Sequence, residues 1–213
     1  MIQNSEVAHD IAGLLLECGA VKLQPENPFT WASGWKSPIY CDNRLTLSYP
    51  DIRKTITVEL VKFIETHFPD VDCIAGVATA GIPQACLVAD ALELPAAYVR
   101  STPKDHGMGN QIEGKIESNW KVVVIEDLIS TGGSSAKAVE AILASGADVL
   151  ATLSTFSYGF AKADEVFENI GVPYYSLSDY DHLLEAAMQG EYIQENVLEK
   201  LGTWRNDPAN WKP

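Results

Sequence analysis

Cationic side chains are scarce in this chain: 15 lysines and arginines stand against 29 aspartates and glutamates, a formal net charge of −14 over 213 residues. Binding along a nucleic-acid backbone needs clustered cations, so that class of partner is excluded and the ligand to look for is small. Cysteine is also sparse. Cys18, Cys41, Cys73 and Cys86 are scattered, with no C-x-x-C pair and mostly apolar neighbours, so reduced structural thiols are expected rather than disulfides or zinc. No apolar run approaches ~18 residues and no basic, apolar leader opens the sequence, so neither a membrane span nor export is expected and the chain reads as cytoplasmic. Neither G-x-x-x-x-G-K-[ST] nor a G-x-G-x-x-G turn after a strand is present, which removes P-loop and dinucleotide-binding readings. Internal repeats, low-complexity tracts and interdomain linkers are missing as well. With 46% hydrophobic residues, residues 1–213 are expected to form one α/β domain with appendages.

What the sequence does contain is an alternation of strand and helix signals. Val7, Ile11, Leu14 and Leu15 follow helical spacing up to Gly19, a natural residue just past a helix end. Residues 29–44 mix aromatic, Gly, Pro and β-type residues and read as short extended pieces and turns, an N-terminal hood assigned to residues 1–45. Pro50 begins a helix that carries Ile52, Ile56, Leu60, Phe63 and Ile64 on one face as far as His67. Strands are then expected at Cys73–Val77, Ala96–Val99, from Val122, at 149–156 and at 174–177. Helices are expected at 82–92, after Ser134 and at 161–170. This order calls for a central parallel sheet flanked by helices and joined by right-handed crossovers. Ser178-x-x-Asp181 reads as a capping signal for a C-terminal helix, and the end from Trp204 to Trp211 is expected to pack back on the domain.

The segment from Val122 to Ser134 is the likeliest chemical centre. Its β-branched run suits a parallel strand buried on both faces, and Glu126 and Asp127 stand at the carboxyl end, where ligands of open α/β sheets bind. The turn Ser130-Thr131-Gly132-Gly133-Ser134 opens a helix marked by Val139, Ile142 and Leu143. Glycines let backbone approach a ligand, successive amides form an anion nest, and the helix dipole adds positive character. Hydroxyl donors from Ser130, Thr131 and Ser134, together with two acids able to accept from vicinal hydroxyls or approach a divalent cation, suit a ribose 5-phosphate. An ordinary capped connection would explain one hydroxyl and one glycine but not the acids.

This segment resembles the phosphoribosyl-diphosphate signature of the type I phosphoribosyltransferases. Residues 29–44 (Phe-Thr-Trp-Ala-Ser-Gly-Trp-Lys-Ser-Pro-Ile-Tyr-Cys-Asp-Asn-Arg), 76–83 and 100–114 extend the likeness to nearly the whole chain and are similar to the orotate-using branch of that family. The resemblance implies magnesium-dependent transfer of ribose 5-phosphate from phosphoribosyl diphosphate to orotate, in the cytoplasm and in pyrimidine (UMP) biosynthesis. It implies Mg²⁺ held mainly by substrate oxygens and water rather than by the protein. It assigns Glu126, Asp127, Leu128, Ile129, Ser130, Thr131, Gly132, Gly133 and Ser134 to the sugar phosphate, and Arg100, Lys104 and His106 to the diphosphate. Catalysis falls to Asp127, Glu126, Lys104, His106 and Arg100, and the orotate pocket to Ser130, Lys36, Tyr40 and Cys41. It further implies a homodimer in which loop 100–114 reaches the neighbouring active site.

Within residues 101–114 the length and the glycines predict mobility, and Arg100, Lys104 and His106 supply cations suited to a closing loop. His9, His67 and His182 fall in helical segments as satisfied side chains; only His106 has a motif around it. Lys36 and Arg44 flank the hood as candidate anion contacts or as solvated cations, with Lys36 the better candidate. Thr79-Ala80-Gly81 is either a backbone approach to the diphosphate or a simple tight turn. Some branches of the family carry lysine where this chain has Ala32, Ala80 and Ser101, and an orotate-contacting arginine with no counterpart among Thr155, Phe156, Ser157 and Tyr158. A purine-using transferase and a non-catalytic phosphoribosyl-diphosphate-binding regulator are the alternative readings.

Overall fold

The computed structural model describes residues 2, 4–31, 33–101 and 111–213. Helix α1 (Ser5–Glu17) is capped by the Asn4 side chain, which accepts from the Glu6 and Val7 amides, and it ends at Cys18 with Gly19 just beyond. Four short strands follow: β1 (Val21–Leu23), β2 (Phe29–Thr30), β3 (Lys36–Ser37) and β4 (Ile39–Cys41). Strands β2 and β3 make a hairpin, and β4 returns antiparallel to β1. A 3-10 turn at Asn43–Ser48 leads to α2 (Pro50–His67), with proline in its first turn.

The rest of the chain alternates: β5 (Cys73–Val77), α3 (Gly81–Ala91), β6 (Ala96–Val99), β7 (Ile112–Glu113), β8 (Lys121–Ile129), α4 (Gly133–Ala144), β9 (Asp148–Ser157), α5 (Ala161–Ile170) and β10 (Tyr174–Asp179). Helix α6 (Tyr180–Gln189), a 3-10 turn at Glu195–Val197 and α7 (Leu198–Asn206) complete it. The six-stranded sheet has the order β10-β9-β8-β5-β6-β7 and is parallel except for β7. Taken in chain order, its parallel strands run 2-1-3-4-5, so the order reverses between β5 and β8. Ligands of such sheets bind outside the carboxyl ends at that reversal.

Side chains alternate across β8. Val123 and Ile125 enter the larger core with α1, α2, α3, α6 and α7, whereas Val122 and Val124 pack with Val139 and Ile142 of α4. This explains why Val122–Ile125 of β8 reads as an unbroken apolar run: both faces are covered. Gly81 is set by packing rather than by a turn alone, since a Cβ there would lie 2.5 Å from the Ile125 carbonyl oxygen. Helix α3 therefore begins in contact with the β8 backbone.

Two expectations need correction. Ile112 and Glu113, read as part of a long loop, pair antiparallel with Val99 and Tyr98 and extend the sheet. Ser178 does not cap α6: it lies in β10 and donates to the Ala8 carbonyl at 2.7 Å, while Asp179 accepts from the His182 amide. The Trp204–Trp211 end does pack back. Trp204 is fully buried among Trp31, Tyr158, Phe160 and Tyr180, and its Nε1 donates to the Lys36 carbonyl. Cys18 and Cys73 are buried, Cys41 is half-buried, Cys86 is exposed, and all four are free thiols. No described helix is long and apolar enough to cross a membrane.

Candidate active site at the sheet reversal

Strand β8 continues past the two acids to Ile129, because Leu128 and Ile129 still pair with Phe156 and Ser157 of β9. Glu126 is consequently only 5% exposed. Its Oε2 accepts from the Ser135 hydroxyl at 3.0 Å and its Oε1 from the Asp127 amide at 3.1 Å. Burial first, and then the neighbouring Asp127 charge, push the Glu126 carboxyl up to about 9. Burial also raises Asp127, but the hydrogen bond from Glu126, backbone amides and the Arg44 charge oppose it. Burial thus raises both carboxyls, with the larger shift on Glu126, which favours the protonated form of Glu126 over that of Asp127.

That assignment has a pH consequence. Glu126 binds a proton in the folded state over a range in which the unfolded chain has lost it, so its ionisation erodes stability as pH rises from 4.5 to about 9. A Glu126→Gln variant escapes this loss. Its thermal stability relative to the wild type is expected to rise across that window and to level off above it, as melting curves at a series of pH values will show. A pH-independent difference would contradict a protonated Glu126.

Beyond β8, Ser130 and Thr131 are half-buried, and Gly132 occupies the N-cap of α4 at φ 77° with no side-chain cap. A Cβ at Gly132 would be both strained by this left-handed backbone and 3.2 Å from the Phe167 ring. The first amides of α4 are left open to an anion, with the helix dipole behind them. Across the reversal, the turn at 78–80 follows β5, and the Ala78 amide donates to the Val99 carbonyl. Its Ala78–Thr79 peptide is cis.

The N-terminal strands close the cleft from one side. The Asn43 side-chain amide donates to the Asp127 carbonyl at 2.7 Å, spanning 84 positions of sequence. Cys41 lies near the Asp127 side chain, and its thiol is pushed well up by burial and by the Asp127 and Asp42 charges. Arg44 is fixed beside Asp42, with Nε 2.6 Å and Nη2 2.8 Å from the two carboxylate oxygens.

The chain matches the phosphoribosyl transferase domain family over residues 54–168. It is 54% identical to the orotate phosphoribosyltransferase of Cytophaga hutchinsonii over 203 residues, covering 95% of this chain and 97% of that one. Identity to the orotate phosphoribosyltransferase of Bacillus subtilis is also 54%, over 200 residues, with 94% and 93% covered. The chain belongs to the orotate phosphoribosyltransferase family. The orotate phosphoribosyltransferase from Aeropyrum pernix shares its fold, with a TM-score of 0.74 at 29% identity over 86% of this chain and 99% of that one.

Among the residues that family resemblance singles out, Glu126, Asp127, Leu128 and Ile129 of β8 and the 130–134 turn come together at the sheet reversal, as does Cys41, and Asn43 joins them. Tyr40 is 41% exposed and sits against Phe29, with ring centroids 5.6 Å apart. Lys36 is exposed and donates to the Thr30 hydroxyl at 2.7 Å. Arg100 faces Glu113 with 3.7 Å between charged atoms, on the β6–β7 side of the sheet. Lys104, His106 and Ala32 lie outside the described residues. Asn43 has a weak sequence signal, an Asp-Asn-Arg run beside a lone cysteine, and no spacing ties it to Asp127. Arg205, which reaches the carbonyls of Tyr158 and Gly159 from α7, likewise has no motif around it in the sequence.

Proposed function

We propose that the protein transfers the phosphoribosyl group of phosphoribosyl diphosphate to a ring nitrogen of orotate, releasing orotidine 5′-phosphate and diphosphate in pyrimidine biosynthesis. The observation that carries this reading is the juxtaposition of the Asp127 carboxyl with the uncapped first turn of α4 at the sheet reversal, in a chain of this family. The amides and hydroxyls of residues 130–134 hold the 5-phosphate, with Leu128 and Ile129 setting the loop. Asp127 accepts from the ribose hydroxyls. Glu126, neutral and tied to Ser135, holds Asp127 in place and supports its charge.

Such a transfer passes through a sugar carrying developing positive charge, so the protein's work is alignment and charge stabilisation rather than attack by a side chain. An anionic Asp127 beside the ribose favours that charge. Arg100, Lys104 and His106 donate to the departing diphosphate, and closure of loop 100–114 keeps water from the activated sugar. Orotate lies near Ser130, Lys36, Tyr40 and Cys41. In this reading residues 1–213 work as one domain, residues 1–45 form its hood, and two copies share the loop in a cytoplasmic homodimer.

Magnesium fits this donor set only as a substrate-borne ion. Among the described residues no group of three or more His, Cys, Asp or Glu side chains converges on a metal position, and Glu126 is occupied by Ser135. Asp127 and the oxygens of phosphoribosyl diphosphate are the partners that remain, and the cation would neutralise the leaving diphosphate.

The test is orotate consumption followed by ultraviolet absorbance with Mg²⁺ and phosphoribosyl diphosphate, beside uracil, adenine and hypoxanthine. Turnover of orotate alone is expected. Turnover of a purine would reassign the substrate, and binding of phosphoribosyl diphosphate without any turnover would leave a regulator.

A further inference from the structure

Orotate differs from uracil by a carboxylate on the ring carbon next to the nitrogen that takes the ribose, so an enzyme selective for it needs a cation on that side of the base. In a chain of charge −14 such a cation has to be placed on purpose. Among the described residues, Lys36 donates to the Thr30 hydroxyl, and Arg44 and Arg100 are paired with Asp42 and Glu113, as Arg205 is with Asp181; what sets Arg205 apart is the cavity it lines. A cavity of about 390 Å³ opens beside the 130–134 loop, lined by Thr131 of that loop, Trp35 of the hairpin, Phe160, Lys162, Arg205 and Asn206. Its size suits one planar ring, and its walls join aromatic surface to positive charge.

From these features we infer that Arg205 recognises the carboxylate of orotate and sets selectivity for it; the inference rests on the functional reading above. Arg205 is half-buried and pre-positioned. Trp204 beside it is fully buried and bonded to the Lys36 carbonyl, and Tyr180 donates to the Leu201 carbonyl, so α7 is anchored on both sides. The guanidinium makes only long contacts: Nε 3.4 Å from the Tyr158 carbonyl, Nη2 3.5 Å from that of Gly159 and 3.3 Å from Asp181. Nη1 has no hydrogen bond among the described residues. A carboxylate offers the flat, two-oxygen acceptor that a guanidinium matches best. Lys162, paired with Glu165 at 2.9 Å, and the start of α5, which lacks a side-chain cap, add positive character to the same wall.

The experiment compares steady-state kinetics of Arg205→Gln, Arg205→Lys and Asp181→Asn with the wild type, varying each substrate in turn. Arg205→Gln is expected to raise the KM for orotate about 10- to 100-fold, the scale of one charge-assisted hydrogen bond, and to leave the KM for phosphoribosyl diphosphate unchanged. Arg205→Lys is expected to recover part of the loss. Asp181→Asn, which removes the counter-ion but keeps the arginine, is expected to leave the KM for orotate equal or lower. The inference is overturned if Arg205→Gln leaves the orotate KM unmoved or raises that of phosphoribosyl diphosphate. It is equally overturned if Asp181→Asn reproduces the arginine's loss, since the ion pair would then be structural. A wild type that consumes no orotate would remove the functional reading itself, a result distinct from these.

Discussion

Asp127→Asn is expected to lower kcat by about 10²- to 10³-fold, the range seen when one preorganised electrostatic contact to a transition state is removed. The substitution keeps the shape and removes the charge. Melting temperature should change little, because the bond that locks this position to the N-terminal segment uses the backbone carbonyl of Asp127, which Asn43 reaches at 2.7 Å. The KM for orotate should also stay near that of the wild type, since the lost interaction strengthens only as charge develops on the sugar. An equal rise in the KM values of both substrates with unchanged kcat would instead make Asp127 a ground-state binding contact. Glu126→Gln provides the internal contrast: Glu126 is already neutral in the folded protein, so its amide replacement should cost far less activity than Asp127→Asn.

Trp204→Ala is expected to cost about 3–5 kcal/mol, as large aromatic truncations in packed cores do. For a chain of this length each kcal/mol moves the melting temperature by about 2–4 °C, so a fall of about 6–20 °C should be measured by calorimetry. The reason lies in where the indole sits. Trp31, Tyr158, Phe160 and Tyr180 surround it with centroids 5.5 to 5.7 Å away, and its Nε1 satisfies the Lys36 carbonyl. Removing it therefore unties α7 from the hairpin, and function should suffer along with stability. A melting temperature within about 2 °C of the wild type would mean that α7 contributes little to the core.

The sheet and its carboxyl-end acids were legible because burial on both faces forces a β-branched run, which Val122–Ile125 displays without ambiguity. That reasoning does not set the strand's end. Leu128 and Ile129 pair with β9, yet their apolar character looks the same in a strand or a loop start. β7 carries no periodic signal, since two residues cannot show a repeat, and in sequence it is indistinguishable from the neighbouring loop. At the start of α6, Ser178 and Asp179 are both good caps by type; the bond from Ser178 to Ala8, 170 positions away, decides against the serine. The site divides along the same line. Glu126, Asp127 and the 130–134 turn are contiguous in sequence and were read together. Asn43 and Arg205 reach the sheet end from distant segments, and no local pattern announces a cross-chain bond. For Arg205 a faint signal existed: a cation directly after a tryptophan in a terminal segment expected to pack inward.

The acid pair at the end of β8 and the open first turn of α4 converge on one arrangement, which a crystal structure of the protein with orotidine 5′-phosphate tests most directly. The phosphate should lie on the amides of residues 131–134 within about 3 Å, with a ribose hydroxyl donating to Asp127. A phosphate bound elsewhere, with Asp127 facing no part of the sugar, would contradict the account.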